Sequence, residues 1–152
     1  MKVETICILY ILIIYYGPET YFTAIYNGTE SDVIEACTRQ NGVIGVASSQ
    51  LRLRAHQIAE PIEDDSTIQI PCPHVYLANM KVDETMRRKG VGTALLSAAR
   101  EHATEWSEKM NEEVPLALSM DNENDGAIQL YEKFGFDYLE TNDVFRVMVL
   151  QS

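Results

Sequence analysis

Arg87-Arg88-Lys89-Gly90-Val91-Gly92-Thr93 sets three consecutive cations ahead of two glycines separated by one residue. The residues that follow have the spacing of an amphipathic helix. A helix N-terminus presents backbone N–H groups without intrahelical acceptors and roughly half a positive charge, so a turn of this kind binds phosphate oxygens. Gly90 and Gly92 have no side chain to hold an anion away from those amides, and glycine accepts backbone angles that other residues resist. The chemistry this pattern suits is recognition of a phosphate or diphosphate. The glycines alone leave the ligand open, and turn chemistry by itself also uses such a pair. The stretch lacks the Gly-Lys-Ser/Thr ending of a phosphate loop, and Leu95 stands where the third glycine of GxGxxG belongs, which weighs against nucleotide hydrolysis and dinucleotide binding.

The elements that position this turn follow from periodicity. His74 to Val82 reads as a strand, and Glu84 to Lys89 as a polar connection into a helix from about Gly90 to Met110. Val91, Ala94, Leu95, Ala98, Ala99, His102, Ala103, Trp106 and Met110 form one helical stripe that packs on a sheet. His102 on that stripe reads as a satisfied core-edge histidine. Pro115 to Met120 is a short apolar strand, and Asn124 is placed to cap a helix from Asp125 to Phe134 that Gly135 ends. Tyr131 lies on the inner face of that helix with Ala127, Ile128, Leu130 and Phe134, where a core aromatic is the plain reading.

Phe136 to Glu140 and Val144 to Leu150 make a C-terminal hairpin. Upstream, Val33 to Thr38 and Val43 to Leu53 flank Arg39-Gln40-Asn41-Gly42, which predicts another hairpin. Arg54 to Pro73, with its acidic cluster and prolines, reads as a surface loop. The order of elements predicts one mixed sheet with helices on its faces.

Composition narrows the function classes. The chain has 152 residues, 46% hydrophobic and 23% charged, with a formal net charge of -11, the profile of one globular domain. That charge disfavours nucleic acid and anionic membrane surfaces as partners and suits an amine-bearing one. Three cysteines, Cys7, Cys37 and Cys72, form no CxxC spacing, so neither a disulfide framework nor a zinc ribbon is expected. Cys72 and His74 make half a metal site with no second pair to complete it; no metal is expected. Ile6 to Tyr16 is apolar but shorter than the roughly 20 residues of a membrane helix and lacks a small-residue cleavage site, so a strand or short core element is expected there, with a targeting remnant or a misassigned gene start as the alternatives. Asn27-Gly28-Thr29 matches a glycosylation sequon that matters only in a secreted chain.

Arg-x-x-Gly-x-Gly after Asn79-Met80-Lys81-Val82 resembles the acetyl-CoA pyrophosphate signature of the GNAT N-acetyltransferase superfamily. Asn124-x-x-Ala127-x-x-x-Tyr131-x-x-x-Gly135-Phe136 resembles that family's second motif, and the resemblance covers about Val33 to Leu150. It implies an α/β (α+β) acyl-CoA N-acyltransferase fold, a central, mostly antiparallel mixed sheet flanked by helices. The backbone of Met80, Lys81 and Val82 would pair with the pantetheine arm, and the turn from Arg87, Arg88 and Lys89 through Gly90, Val91, Gly92 and Thr93 would hold the pyrophosphate. Asn124 would contact pantetheine or cap its helix. Tyr131 would protonate the departing thiolate as general acid.

The resemblance further implies direct transfer of acetyl from acetyl-CoA to a primary amine through a ternary complex, with no metal. A main-chain N–H of Met80 or Val82 would face the developing oxyanion. On the same resemblance the acceptor would be a protein N-terminus, a lysine or a small amine, and the assembly a monomer or homodimer inside the cell, in the cytoplasm or a plastid. The sequence departs from the pattern twice. Tyr76 and Ser119 occupy strand positions where some members carry a glutamate, leaving His74, Asp121 or Glu123 as general-base candidates. Residues 1–32 are shorter than the strand and two helices that usually wall the acceptor pocket, so they are taken as an atypical segment of the domain and residues 33–152 as its body. A non-catalytic acyl-CoA-binding module on the same fold is the alternative.

Overall fold

The computed structural model describes residues 9–16, 19–26, 43–53, 56–58, 68–70, 72–141 and 143–151. The strands are β1 (Leu9–Tyr16), β2 (Glu19–Tyr26), β3 (Val43–Arg52), β4 (His56–Ile58), β5 (Ile68–Ile70), β6 (His74–Val82), β7 (Leu116–Asp121), β8 (Asp137–Thr141) and β9 (Phe145–Leu150). Two α-helices, α1 (Val91–Met110) and α2 (Asp125–Phe134), stand among the described residues. The large sheet has seven strands in the order β1-β2-β3-β6-β7-β9-β8. Of its pairings only β6–β7 is parallel, so the expected mixed, mostly antiparallel sheet is what forms.

The apolar N-terminal run becomes β1, as its β-branched and aromatic content favours, and pairs with β2 from Tyr16↔Glu19 to Leu9↔Tyr26. Both edges of β3 are occupied, by β2 and β6. Both pair with it antiparallel; the expected Val33–Thr38 strand and its Asn41-Gly42 turn lie outside the described residues. The expected 54–73 loop is also corrected in part: β4 and β5 pair within it, His56 opposite Ile70.

The main core lies between this sheet and α1. Val91, Leu95, Ala98, Ala99, His102 and Ala103 of the expected stripe are buried, and Leu96, left off it, is buried too. They meet Phe22, Ala47, Val75, Leu77, Leu116, Leu118 and Met148 in one cluster. Strand alternation sends the intervening residues to the opposite face, where Ile70, Ala117, Val147 and Val149 pack with Tyr76 and Phe145.

A polar cluster is sealed inside the main core. Trp106 Nε1 donates to His102 Nε2 at 3.0 Å. Indole nitrogen only donates, so Nε2 is the bare acceptor and Nδ1 carries the proton. That proton goes to Ser49 Oγ at 3.0 Å, and Thr20 Oγ1 lies 3.4 Å from Nε2. The cluster joins α1 to β2 and β3, and burial lowers the His102 pKa.

Candidate functional site

β6 and β7 start as neighbours and then part. Their parallel ladder runs through Val75↔Leu116, Tyr76↔Ala117 and Leu77↔Leu118 and stops, although β6 continues to Val82 and β7 to Asp121. β7 keeps its pairing with β9 as far as Asp121↔Phe145. The bend is on β6, which inserts an extra residue between Ala78 and Lys81 opposite Ser48 and Val46. This is a β-bulge, a device that turns a strand away from its partner. Asn79 in the bulge has φ 54°, a left-handed value that Asn tolerates better than most residues. Its Nδ2 donates to Ser48 Oγ at 3.1 Å, and Ser48 Oγ donates to the Ala78 carbonyl at 3.3 Å. Met80, Lys81 and Val82 thus form one wall of an open wedge and have no ladder partner on β7.

The connection from β6 aims α1 at this wedge. Asp83 N donates to the Ile44 carbonyl at 2.8 Å, and the Asp83 carboxylate accepts from Thr85 N at 3.0 Å to start a short 3-10 turn, Glu84–Met86. Met86 is buried, whereas Arg87, Arg88, Lys89 and Gly90 are all exposed. Arg88 at φ 61° and Gly90 at φ 84° are both left-handed. Gly90 caps α1 with no side-chain hydrogen bond, and the first turn holds no acidic residue. The leading amides of α1 therefore keep their positive potential. α2 is the opposite case: Asn124 Oδ1 accepts from Ala127 N at 3.2 Å and Asp125 stands in its first turn. Asn124 caps its helix, as its place ahead of Asp125 predicts.

The two glycines of the turn have different reasons. A Cβ on Gly90 would meet nothing within 4 Å, so this position is glycine for its backbone angle. A Cβ on Gly92 would lie 2.9 Å from Leu130 Cδ2 and 3.3 Å from Met80 Cε. Gly92 is therefore a close-packing position where α1, α2 and β6 converge. Sequence reasoning missed Gly45, whose Cβ would sit 2.9 Å from Val91 Cγ1, 3.1 Å from Leu95 Cδ1 and 3.2 Å from the Lys81 carbonyl. It lets the start of α1 settle on β3.

Tyr131 projects from α2 to the same place. It is 9% exposed, packs edge-to-face on Phe136 at 5.6 Å, and donates its hydroxyl proton to Met80 Sδ at 3.7 Å. Burial raises its pKa, so the phenol holds its proton across the neutral range. The connection ahead of α2 is pinned by Arg146, which donates to Asn122 Oδ1 at 2.9 Å and to Tyr138 Oη at 3.0 Å.

Of the general-base candidates, His74 is displaced. It is fully buried at the start of β6, six residues and ~20 Å along the strand from Met80. Asp121 and Glu123 are exposed at the open end of β7, and the Asp121 carboxylate accepts from Glu123 N at 2.8 Å. Tyr76 and Ser119 hydrogen-bond each other at 2.7 Å across the start of the wedge. Among the described residues no group of three His, Cys, Asp or Glu side chains converges on a common point.

A sequence profile of the acetyltransferase (GNAT) family matches residues 10–136. No curated protein matches the chain in sequence. Its fold is similar to that of Arabidopsis thaliana NAA60 in complex with a bisubstrate analogue, at a TM-score of 0.64 and 16% identity over 90% of this chain and 78% of the other. It is similar also to the ribosomal-protein-S18-alanine N-acetyltransferase from Escherichia coli, at 0.51 and 22% over 90% and 71%. The aminoglycoside N-acetyltransferase AAC(6')-Iy in complex with CoA superposes at 0.54 with 16% identity over 84% and 74%. The wedge, the uncapped helix start and the matched profile agree: this chain belongs to the GNAT acetyltransferase family.

Proposed function

We propose that the protein transfers an acetyl group from acetyl-CoA to a primary amine by direct attack within a ternary complex. The observation that carries this reading is the meeting, in one wedge, of three features: the Met80–Val82 backbone, open on its β7 side, the uncapped N-terminus of α1 and the Tyr131 hydroxyl. Acyl-CoA supplies an activated carbonyl and a thiolate leaving group. The residues present fit such a molecule. Exposed Arg87, Arg88 and Lys89 with the first amides of α1 offer a diphosphate both charge and donors, and Met80, Lys81 and Val82 offer an extended, amide-bearing arm a strand to pair with.

Tyr131 delivers a proton at the end of that arm. Its present acceptor is a thioether, a weak one, so the O–H donor remains available to a stronger sulfur base. A main-chain N–H of Met80 or Val82 steadies negative charge on the carbonyl oxygen. Asp121 or Glu123, reaching the amine through water, relieves it of a proton. The bisubstrate and CoA complexes of the similar structures support the amine as acceptor.

The test is release of free CoA from acetyl-CoA in the presence of a panel of peptide, lysine, polyamine and aminoglycoside amines, with the acetylated product identified by mass. CoA binding without release on any acceptor overturns the reading in favour of a binding module.

A further inference from the structure

The sheet face opposite α1 carries a pocket of about 100 Å³ along the seam between β3 and β6, lined by Ser48, Gln50, Arg52, Tyr76, Ala78 and Asn79. Ser49 points to His102 on the α1 side, so Ser48, Gln50 and Arg52 alternate to the other. The register sets Ser48 opposite Ala78, Gln50 opposite Tyr76 and Arg52 opposite His74. One end of the pocket is thus the bulge at Asn79, beside the wedge, and the other is Arg52.

Arg52 is unusual in this chain. Its Nε is buried and has no hydrogen-bond partner among the described residues. Arg52 is the one cation of the pocket lining, and a carboxylate that enters the pocket gives its guanidinium the strong, charge-assisted form of the hydrogen bond. Apart from Ala78, the remaining lining residues carry hydroxyls and amides, the polar company a carboxylate takes. A volume of about 100 Å³ suits one small side chain rather than a folded partner.

Resting on the reading above, we propose that Arg52 receives a carboxylate of the acceptor, so that the enzyme acetylates amines carrying an acidic group set apart from the amine. Arg52 lies four residues along β3 from Ser48, the lining residue beside the wedge, ~13 Å at the rise of a strand. That exceeds the span between the amine and α-carboxylate of a free amino acid. It matches the second or third side chain of a short extended peptide, or the far carboxylate of an elongated small amine.

The experiment uses the full chain and peptides with a free N-terminal amine, identical except for Glu, Gln or Lys at the second or third residue. CoA release gives kcat/KM, and fluorescence anisotropy on the CoA-loaded protein gives binding of the same peptides without turnover. Glu peptides exceed Gln peptides by roughly 10-fold or more, the scale of a charge-assisted hydrogen bond, and Lys peptides are poorest. In Arg52→Gln the Glu-to-Gln ratio collapses toward unity, in Arg52→Glu it inverts toward Lys, and Arg52→Lys keeps part of it. Free glutamate against glutamine, run in parallel, separates a small acceptor from a peptide. A wild type without preference in either readout, or a ratio unchanged in Arg52→Gln, overturns the assignment. Glu-selective binding with no CoA release on any peptide upholds Arg52 and instead strikes at acetyl transfer.

Discussion

The Tyr131 hydroxyl donates to the Met80 sulfur at 3.7 Å, tying the only phenol of α2 to the strand wall of the wedge. In the proposed mechanism Tyr131 hands its proton to a thiolate leaving from beside that wall and has no role in holding the diphosphate. Tyr131→Phe is therefore expected to lower kcat by roughly 10²-fold or more, the usual scale of acid catalysis, while the CoA dissociation constant from calorimetry stays put. Undiminished kcat would remove Tyr131 from the mechanism.

The pH profile adds a second expectation. Burial disfavours the phenolate and raises the Tyr131 pKa above its ordinary 10.0, so the acid form persists as pH rises through the alkaline range. The acceptor amine loses its proton over the same range. Saturated turnover should then hold or climb from pH 7 to about 10, measured as kcat by CoA release. A descending limb centred near pH 8 that vanishes in Tyr131→Phe contradicts this.

Gly90 and Gly92 separate into a binding and a packing position. Gly90→Asp sets a like charge at the diphosphate cradle in open space, with about 1–2 kcal/mol of left-handed strain, and should abolish CoA binding in a folded protein. Gly92→Ala sets a methyl against the flexible ends of Leu130 and Met80, so its net effect on stability should stay within about 1 kcal/mol, the scale of what alanine gains over glycine in a helix. Denaturant midpoints and calorimetry on the two variants give the contrast. Wild-type CoA affinity in Gly90→Asp removes the cradle.

Much of the C-terminal half was legible because its signals are local. His74–Val82, α1 and α2 fall within a residue or so of their expected bounds, since strand alternation, helix stripes and the Asn124 and Gly135 caps act over a few neighbours. The β3 partners were not legible. An Asn-Gly dipeptide announces a turn, but which strand fills each edge of β3 is decided by long-range packing against α1. The packing constraint on Gly92 and the whole of that on Gly45 were not legible, because they come from Leu130, Met80, Val91 and Leu95, residues distant in sequence. The Asn79 bulge, which opens the wedge, is a tertiary event that its local sequence does not announce.

Gly45 gives the fourth expectation. Its missing Cβ lets Val91, the first residue of α1, settle against β3, and one flanking contact is the Lys81 carbonyl, which cannot rotate aside. Gly45→Ala should lower stability by about 1–3 kcal/mol and, by lifting the start of α1 from Met80–Val82, also weaken CoA binding. Equal CoA affinity in the variant and the wild type would show that the helix start tolerates displacement.

His102 sets the acid side of stability. Burial lowers its pKa from 6.5, opposed by nearby Glu105 and assisted by Lys109. In the folded state Nε2 accepts from Trp106 Nε1, and a protonated ring would lose that bond. As pH falls below 6.5 the unfolded chain takes up the proton before the folded one does. Stability is therefore full above that value and lost as pH drops through the lowered folded pKa, at up to ~1.4 kcal/mol per pH unit. His102→Gln, which keeps an amide for Ser49 or Trp106 but cannot titrate, should be less stable at neutral pH and less sensitive to acid. Urea midpoints from pH 7.5 to 5 check this: the two curves converge as pH falls, and parallel curves would mean that His102 does not govern the acid response.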